Sequence, residues 1–286
     1  MRDPIEEQLA NNIDLTNENK SSHWKKYLNP SSNFHNKLSH LGFGSYTTKS
    51  YKDIFHKYLQ KYIFGSKIFE TKTYLKYKKV FDNDNRLIDT DTLRHIFTFE
   101  KLQKIIDPKK ICIIGDGKIN GVLGAHLTFP KAKILSVNLS ETLFHDYIIL
   151  KELNIGLKDS IELVRNENFK MSNKIIHLIP SNLKNFLFNK DIDLFINIAS
   201  FQEMHMSEIK QYFTIIKNNN SKIYCCNREY KKLVGNEELY FNEYPWGECK
   251  KIFWENCPWH KKFYAFKPPF IRKYDGNTVH CLVDYS

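Results

Sequence analysis

KICIIGDGKINGVLG (residues 110–124) is the stretch on which the reading of this chain turns. Residues 111–114 are a short apolar run with three β-branched side chains, which reads as a buried strand. Gly115, Asp116 and Gly117 follow at once, and residues 118–127 read as the opening of a helix. Strand, glycine turn and helix make a nucleotide-cofactor cradle. Glycine lets the backbone approach a ligand, and the helix N-terminus carries partial positive charge. The same pattern also occurs as a plain βα turn, so its flanks decide between the two.

Downstream, the pattern repeats. KILSV (133–137) is a second strand, and Ser140 caps a helix through residue 153 with Leu143, Tyr147, Leu150 and Leu153 on one face. A helical patch is expected over 160–169. Residues 174–179 form a third strand, followed by a short helix over 183–188. DLFINIA (193–199) is the fourth. Ser207 caps a helix facing inward through Ile209, Tyr212, Phe213 and Ile216, and residues 222–226 are the fifth strand. Strands joined by helices specify a parallel sheet covered on both faces. The end differs: residues 270–274 and 278–285 flank Asp275-Gly276-Asn277, a hairpin signal. The expected fold is therefore α/β, mostly parallel, with an antiparallel C-terminal hairpin.

Upstream, residues 1–108 read as a mostly helical block. Spacing predicts helices at 24–28, over 50–64 and over 89–106, the last capped by Thr90 or Asp91, with a loop at 42–44. Residues 74–81 are ambiguous between helix and strand. Such a block is placed to cap a cofactor site, leaving 109–286 as the second domain.

Composition narrows the function classes. The chain has 286 residues, 42% hydrophobic and 26% charged, in the range of globular proteins. No apolar run reaches the ~20 residues needed to cross a bilayer. The first residues carry acids and lack an apolar core, so a cytoplasmic location is expected. Six cysteines without a CxxC pair argue against a structural zinc site, and Cys112, Cys225 and Cys226 read as small core residues. The formal charge of +11 accompanies abundant Lys, Asn, Ile, Phe and Tyr, a bias of AT-rich coding. Its lysines are dispersed, without the signature of a nucleic-acid binder.

Three later segments are more specific than the glycine turn: DLFINIASFQEM (193–204), CCNREYKKL (225–233) and EYPW (243–246). They resemble the sugar O-methyltransferase family of bacterial surface-polysaccharide loci, within the class I methyltransferases that use S-adenosylmethionine. The resemblance runs from about residue 111 to the end. It implies a Rossmann-like methyltransferase sheet and a sugar or sugar-nucleotide acceptor, and it leaves the oligomeric state open, a homodimer included. By the resemblance, Gly115 and Gly117 face the methionine part of the cofactor, Asn138 the ribose, and Ile179 and Pro180 the adenine, with Ser200 on the same rim. Two acids common in such enzymes are replaced, by Ile113 and Asn138. Asp116 is placed to compensate by meeting the sulfonium.

The chemistry is expected beyond the carboxyl ends of the strands, in the loop of residues 200–205. A sugar hydroxyl needs orientation and a base, and Glu203 and His205 are the candidates. Gln202, Asn227 and Arg228 share that rim, Arg228 suiting a phosphate or an ion pair with Glu203. The stretch 230–266 is rich in aromatic residues, of which Tyr244 and Trp246 are expected to face the acceptor. His260, Lys261, Lys262, Arg272 and Lys273 are candidates for an acceptor's diphosphate. Carboxylates are not clustered as Mg²⁺ requires, so no metal is expected. The rivals are an NAD(P)-linked sugar-nucleotide oxidoreductase or epimerase, disfavoured by glycines out of phase with GxGxxG, and a non-catalytic nucleic-acid-binding module.

Overall fold

The computed structural model describes residues 3–11, 53–153, 155–265 and 268–286. The helix expected at 24–28, the loop at 42–44 and the first residues of the helix expected from 50 lie outside them. The N-terminal helices are α1 (Pro4–Asn11), α2 (Asp53–Phe64), α3 (Lys72–Asn83) and α4 (Thr90–Leu102). The ambiguous stretch is helical: Tyr74, Tyr77, Val80 and Phe81 of α3 are buried at three- and four-residue steps. Thr71 caps α3 by accepting the Tyr74 N–H at 3.2 Å. The cap of α4 is Asp89 rather than Thr90 or Asp91. Asp89 is the extended residue before the first turn, and its Oδ1 accepts the Thr92 N–H at 2.8 Å.

The alternating segments are β1 (Lys110–Ile114), α5 (Asn120–Thr128), β2 (Lys133–Asn138), α6 (Ser140–Glu152), β3 (Ile161–Leu163), β4 (Ile176–Pro180), β5 (Leu194–Ile198), α7 (Met206–Asn218) and β6 (Lys222–Arg228). Then come β7 (Tyr230–Lys232), β8 (Glu238–Tyr240), β9 (Lys250–Asn256), β10 (Lys262–Tyr264), β11 (Ile271–Lys273) and β12 (Thr278–Asp284). Eight strands form one sheet in the order β3-β4-β2-β1-β5-β6-β12-β9. The six strands from β3 to β6 are mutually parallel, and β12 runs antiparallel to both of its neighbours. This is the Rossmann-like methyltransferase layout.

The apolar strands are explained by cover on both faces. Ile111 and Ile113 of β1 enter one core with Phe99, Val122 and Leu143 from the helices. Cys112 and Ile114 point the other way, into a core with Ile209, Phe213, Phe241 and Trp246. Gly124 lets α5 approach α3 and α4, since a Cβ there would overlap the Phe99 ring and crowd the Tyr77 hydroxyl.

Four further sequence expectations are corrected. Leu139 and His205, not Ser140 and Ser207, hold the N-cap positions of α6 and α7. Within 160–169 the chain forms β3, not a helix: Ile161 and Leu163 are buried while Glu162 reaches the His177 ring at 3.1 Å, a period of two. The antiparallel close of the sheet is present, but residues 270–274 are not its partner. Both edges of β12 are taken, by β6 and β9, and β11 pairs with β10. The turn at 275–277 thus links two sheets.

Candidate active site

A cavity of about 540 Å³ opens beyond the carboxyl ends of the parallel strands. Gly115 and Gly117 line it after β1, Asn138 at the end of β2, Ser200 and Glu203 after β5, and Arg228 at the end of β6. Helix α4 supplies Asp91, Arg94 and His95 to the same wall. Its N-terminus docks on the glycine turn, where Thr92 Oγ1 donates to Asn120 Oδ1 at 3.2 Å. Arg94 anchors its middle by donating to the Trp259 carbonyl at 3.1 Å and to Asp91 at 2.9 Å, and by lying 4.6 Å from the centre of the Tyr274 ring.

The turn after β1 is held by its own acid. Asp116 is buried, its Oδ2 accepts the Val122 N–H at 2.7 Å, and the N–H groups of Lys118, Asn120 and Gly121 also face the carboxylate. Burial lifts its pKa to about 6 against the pull of those donors. Asp116 is therefore committed to the start of α5, not free to meet a sulfonium as the sequence suggested. Ile119, next in the turn, has φ 52°, a left-handed conformation costly for a β-branched residue. Gly115 has φ +73°, and a Cβ there would collide with Ser200 Oγ.

The turn after β5 is held by amides. Asn197 donates to the Ile114 carbonyl at 3.1 Å and to Ser200 Oγ at 2.9 Å, and accepts the Phe201 N–H at 3.1 Å. Asn227 donates to Asn197 at 2.8 Å and accepts the Gln202 N–H at 3.1 Å. Gln202 in turn accepts the Arg228 N–H at 2.8 Å. This network crosses β1, β5 and β6 and fixes the single-turn helix Phe201–Glu203 against the Gly115 bend. Ala199, at its start, also has a left-handed φ, 59°.

Glu203 faces the cavity, and burial raises its pKa to about 7, with Lys231 and Arg228 pulling the other way. His205 lines the cavity too. It caps α7, its carbonyl accepting the Glu208 and Ile209 N–H groups at 3.0 and 3.2 Å, and its Nδ1 lies 3.5 Å from Glu237 Oε1. Arg228 Nη1 lies 3.6 Å from the fully exposed Asp275, and its charge also acts on Glu203.

The structure thus brings together Gly115, Asp116, Gly117, Asn138, Ser200, Gln202, Glu203, His205 and Arg228. It places the others elsewhere. Ile179 is fully buried in the sheet core and Pro180 is buried at the end of β4, while Ser181 and Asn182 just beyond line the cavity. Asn227 is fully buried, spent on the network described above. Tyr244 and Trp246 are core residues. Their rings pack with Phe201, Phe213, Phe241 and Trp254 at centroid distances of 4.8–6.4 Å, and Trp246 Nε1 donates to the Phe241 carbonyl. Asn138 lines the cavity while donating to the Asp116 carbonyl at 2.7 Å and accepting the Leu139 N–H at 2.9 Å.

Asp91, Arg94, His95 and Tyr274 were missed because they are distant in sequence from the glycine turn. The one usable signal was polar residues on the face of an otherwise apolar helix.

No protein-family model matches the chain, and no curated protein does. Solved structures are similar in fold. Geranyl diphosphate C-methyltransferase from Streptomyces coelicolor A3(2), solved with Mg²⁺, geranyl diphosphate and S-adenosyl-L-homocysteine, matches at 14% identity and TM-score 0.49, over 99% of this chain and 98% of that one. A geranyl diphosphate methyltransferase in complex with GPP and sinefungin matches at 11% and 0.45, over 68% and 82%. Coclaurine N-methyltransferase bound to N-methylheliamine and S-adenosylhomocysteine matches at 9% and 0.44, over 98% and 93%. At these scores no residue of one chain is set against a residue of another.

Proposed function

We propose that this chain is an S-adenosylmethionine-dependent O-methyltransferase. Its acceptor is a sugar hydroxyl, carried on a nucleotide-linked precursor of capsular or lipopolysaccharide material. The observation that carries this reading is the packing of Ser200 on the Gly115 bend: it sets the loop bearing Glu203 directly beside the cofactor turn. Two of the three sequence segments that resemble sugar O-methyltransferases fall on β5 with its loop and on the end of β6, which are walls of the cavity, while the third, EYPW (243–246), packs in the core.

The residues present fit the cofactor. Gly115 and Gly117 line the cavity where the methionine part would lie. Asn138 lies on the same wall, at the end of β2, where a ribose hydroxyl would reach, and Ser181 and Asn182 extend the wall toward the adenine. The cavity falls within the ~300–1,000 Å³ typical of small-molecule sites. When bound, the cofactor supplies an electrophilic methyl group on a positively charged sulfur.

The chain's own part is orientation and proton transfer. The Asn197–Asn227 network holds the 200–205 loop rigid, so that an acceptor hydroxyl meets Glu203 in one geometry. The Glu203 carboxylate takes the hydroxyl proton. With its pKa near 7 it is both ionised and basic near neutral pH. Arg228 offers a planar cation on the same rim for the acceptor's phosphate.

The test is incubation with S-adenosylmethionine and a panel of nucleotide sugars. Release of S-adenosylhomocysteine with one member is expected. Binding of the cofactor without turnover on any member would refute the sugar acceptor.

A further inference from the structure

Among the described residues, one cluster outside the proposed methyl-transfer groups has the chemistry of a metal site. Cys226 lies in the buried run of β6, Cys257 follows β9, and His260 closes the single-turn helix Pro258–His260. Their ligand atoms lie within 4.8 Å of one another. His260 Nδ1 stands 3.1 Å from Cys257 Sγ and 3.8 Å from Cys226 Sγ. Tetrahedral zinc, with Zn–S near 2.3 Å and Zn–N near 2.0–2.1 Å, places its ligand atoms about 3.5–3.8 Å apart. The cluster therefore needs only small side-chain shifts to close on an ion.

The scaffold around it is already fixed. The Cys257 N–H donates to the Thr278 carbonyl at 2.8 Å, and Trp259 stacks on Phe97 with 5.4 Å between centroids and 7° between planes. A disulfide is a poor alternative. β12 runs between β6 and β9, and two strand spacings total about 9.5 Å, beyond the ~7 Å that a disulfide spans without backbone movement.

We propose that Cys226, Cys257 and His260 bind one divalent ion of the zinc class, with a fourth coordination position open to the cavity. Cys226 and His260 line that cavity themselves, so the open position faces bound substrate or water. Two thiolates and one imidazole with a free fourth site is a catalytic-type set, where closed structural sites use four protein ligands. Binding releases the two thiol protons to solvent. The sequence hid the site because its spacing is C-x₂-H with a second cysteine 31 residues upstream, not CxxC. The assignment stands whether or not the chain transfers a methyl group.

The probe is Co²⁺ added to the reduced full chain. Expected are a thiolate-to-cobalt charge-transfer band and strong visible bands of tetrahedral cobalt, saturating at one ion per chain and erased by Zn²⁺. Added azide should shift the visible bands, since one position is open. His260→Ala and Cys257→Ser should each weaken binding at least about tenfold. Cys225→Ser and Cys281→Ser, on the opposite face of the sheet, should leave it unchanged. Circular dichroism verifies folding of each variant, and His260, the least buried of the three, carries the test where a cysteine variant unfolds. No saturating band, or bands that survive in His260→Ala and Cys257→Ser, would overturn the site. Indifference to azide would overturn its open position.

Discussion

The turns after β1 and β5 each hold one acid whose pKa desolvation has raised, buried Asp116 to about 6 and partly buried Glu203 to about 7. They touch each other at Gly115 and Ser200, yet they use their acids differently. Asp116 spends its oxygens on backbone N–H groups at the start of a helix. Glu203 faces a cavity, with Lys231 and Arg228 as the opposing charges. A raised pKa alone does not mark a catalytic acid. Its setting has to be read with it: Asp116 holds the foot of α5, while Glu203 stands on the loop after β5 beside Lys231 and Arg228.

The hardest blow to both turns is Gly115→Ala. A side chain there demands a left-handed conformation and collides with Ser200. It should abolish cofactor binding and turnover, read by calorimetry and by product release. Glu203→Gln comes next. It should lower the rate by about 10²–10⁴-fold, leave cofactor binding intact, and remove the limb of the pH–rate profile near pH 7.

Asp116 should respond in the opposite sense. Asp116→Ala strips the acceptor from several N–H groups, costing about 1–3 kcal/mol for each donor left buried and unpaired, seen as a lower Tm. Asp116→Asn keeps one side-chain oxygen and should retain turnover. If the folded Asp116→Asn protein loses rate as fully as Glu203→Gln, the contrast between the turns is wrong.

Stability against pH sharpens the same contrast. The folded pKa of Glu203 lies above its unfolded value near 4.5, so the folded state holds the proton more tightly. Stability therefore falls as pH rises from about 4.5 through about 7. Glu203→Gln should match the parent protein in Tm at pH 4 and exceed it at pH 8. The smallest effect is expected of His205→Ala, whose ring stands by Glu237: a loss in rate below tenfold, measured under saturating substrate.

The parallel sheet was legible because each strand is an apolar run between helical periods, and burial on both faces requires that. The Gly115 turn and the 200–205 loop were legible as the groups beyond the strand ends. The partner of β12 was not, because the Asp-Gly signal between residues 274 and 278 describes the local chain, whereas pairing depends on β9, more than twenty residues earlier. Tyr244 and Trp246 misled because aromatic rings suit a sugar face and a core equally, and only packing tells which. Asn197 and Asn227 are the reverse case. An amide inside an apolar strand could have been noticed as a group needing partners, and those partners turned out to tie the site together.

The central claim is that the Gly115 bend and the Glu203 loop enclose one cofactor site. Calorimetric titration of S-adenosylhomocysteine into the unaltered chain, Glu203→Gln and Gly115→Ala tests it most directly. Saturable binding to the first two and none to the third is predicted. No heat with the unaltered chain, or equal binding to Gly115→Ala, would contradict it.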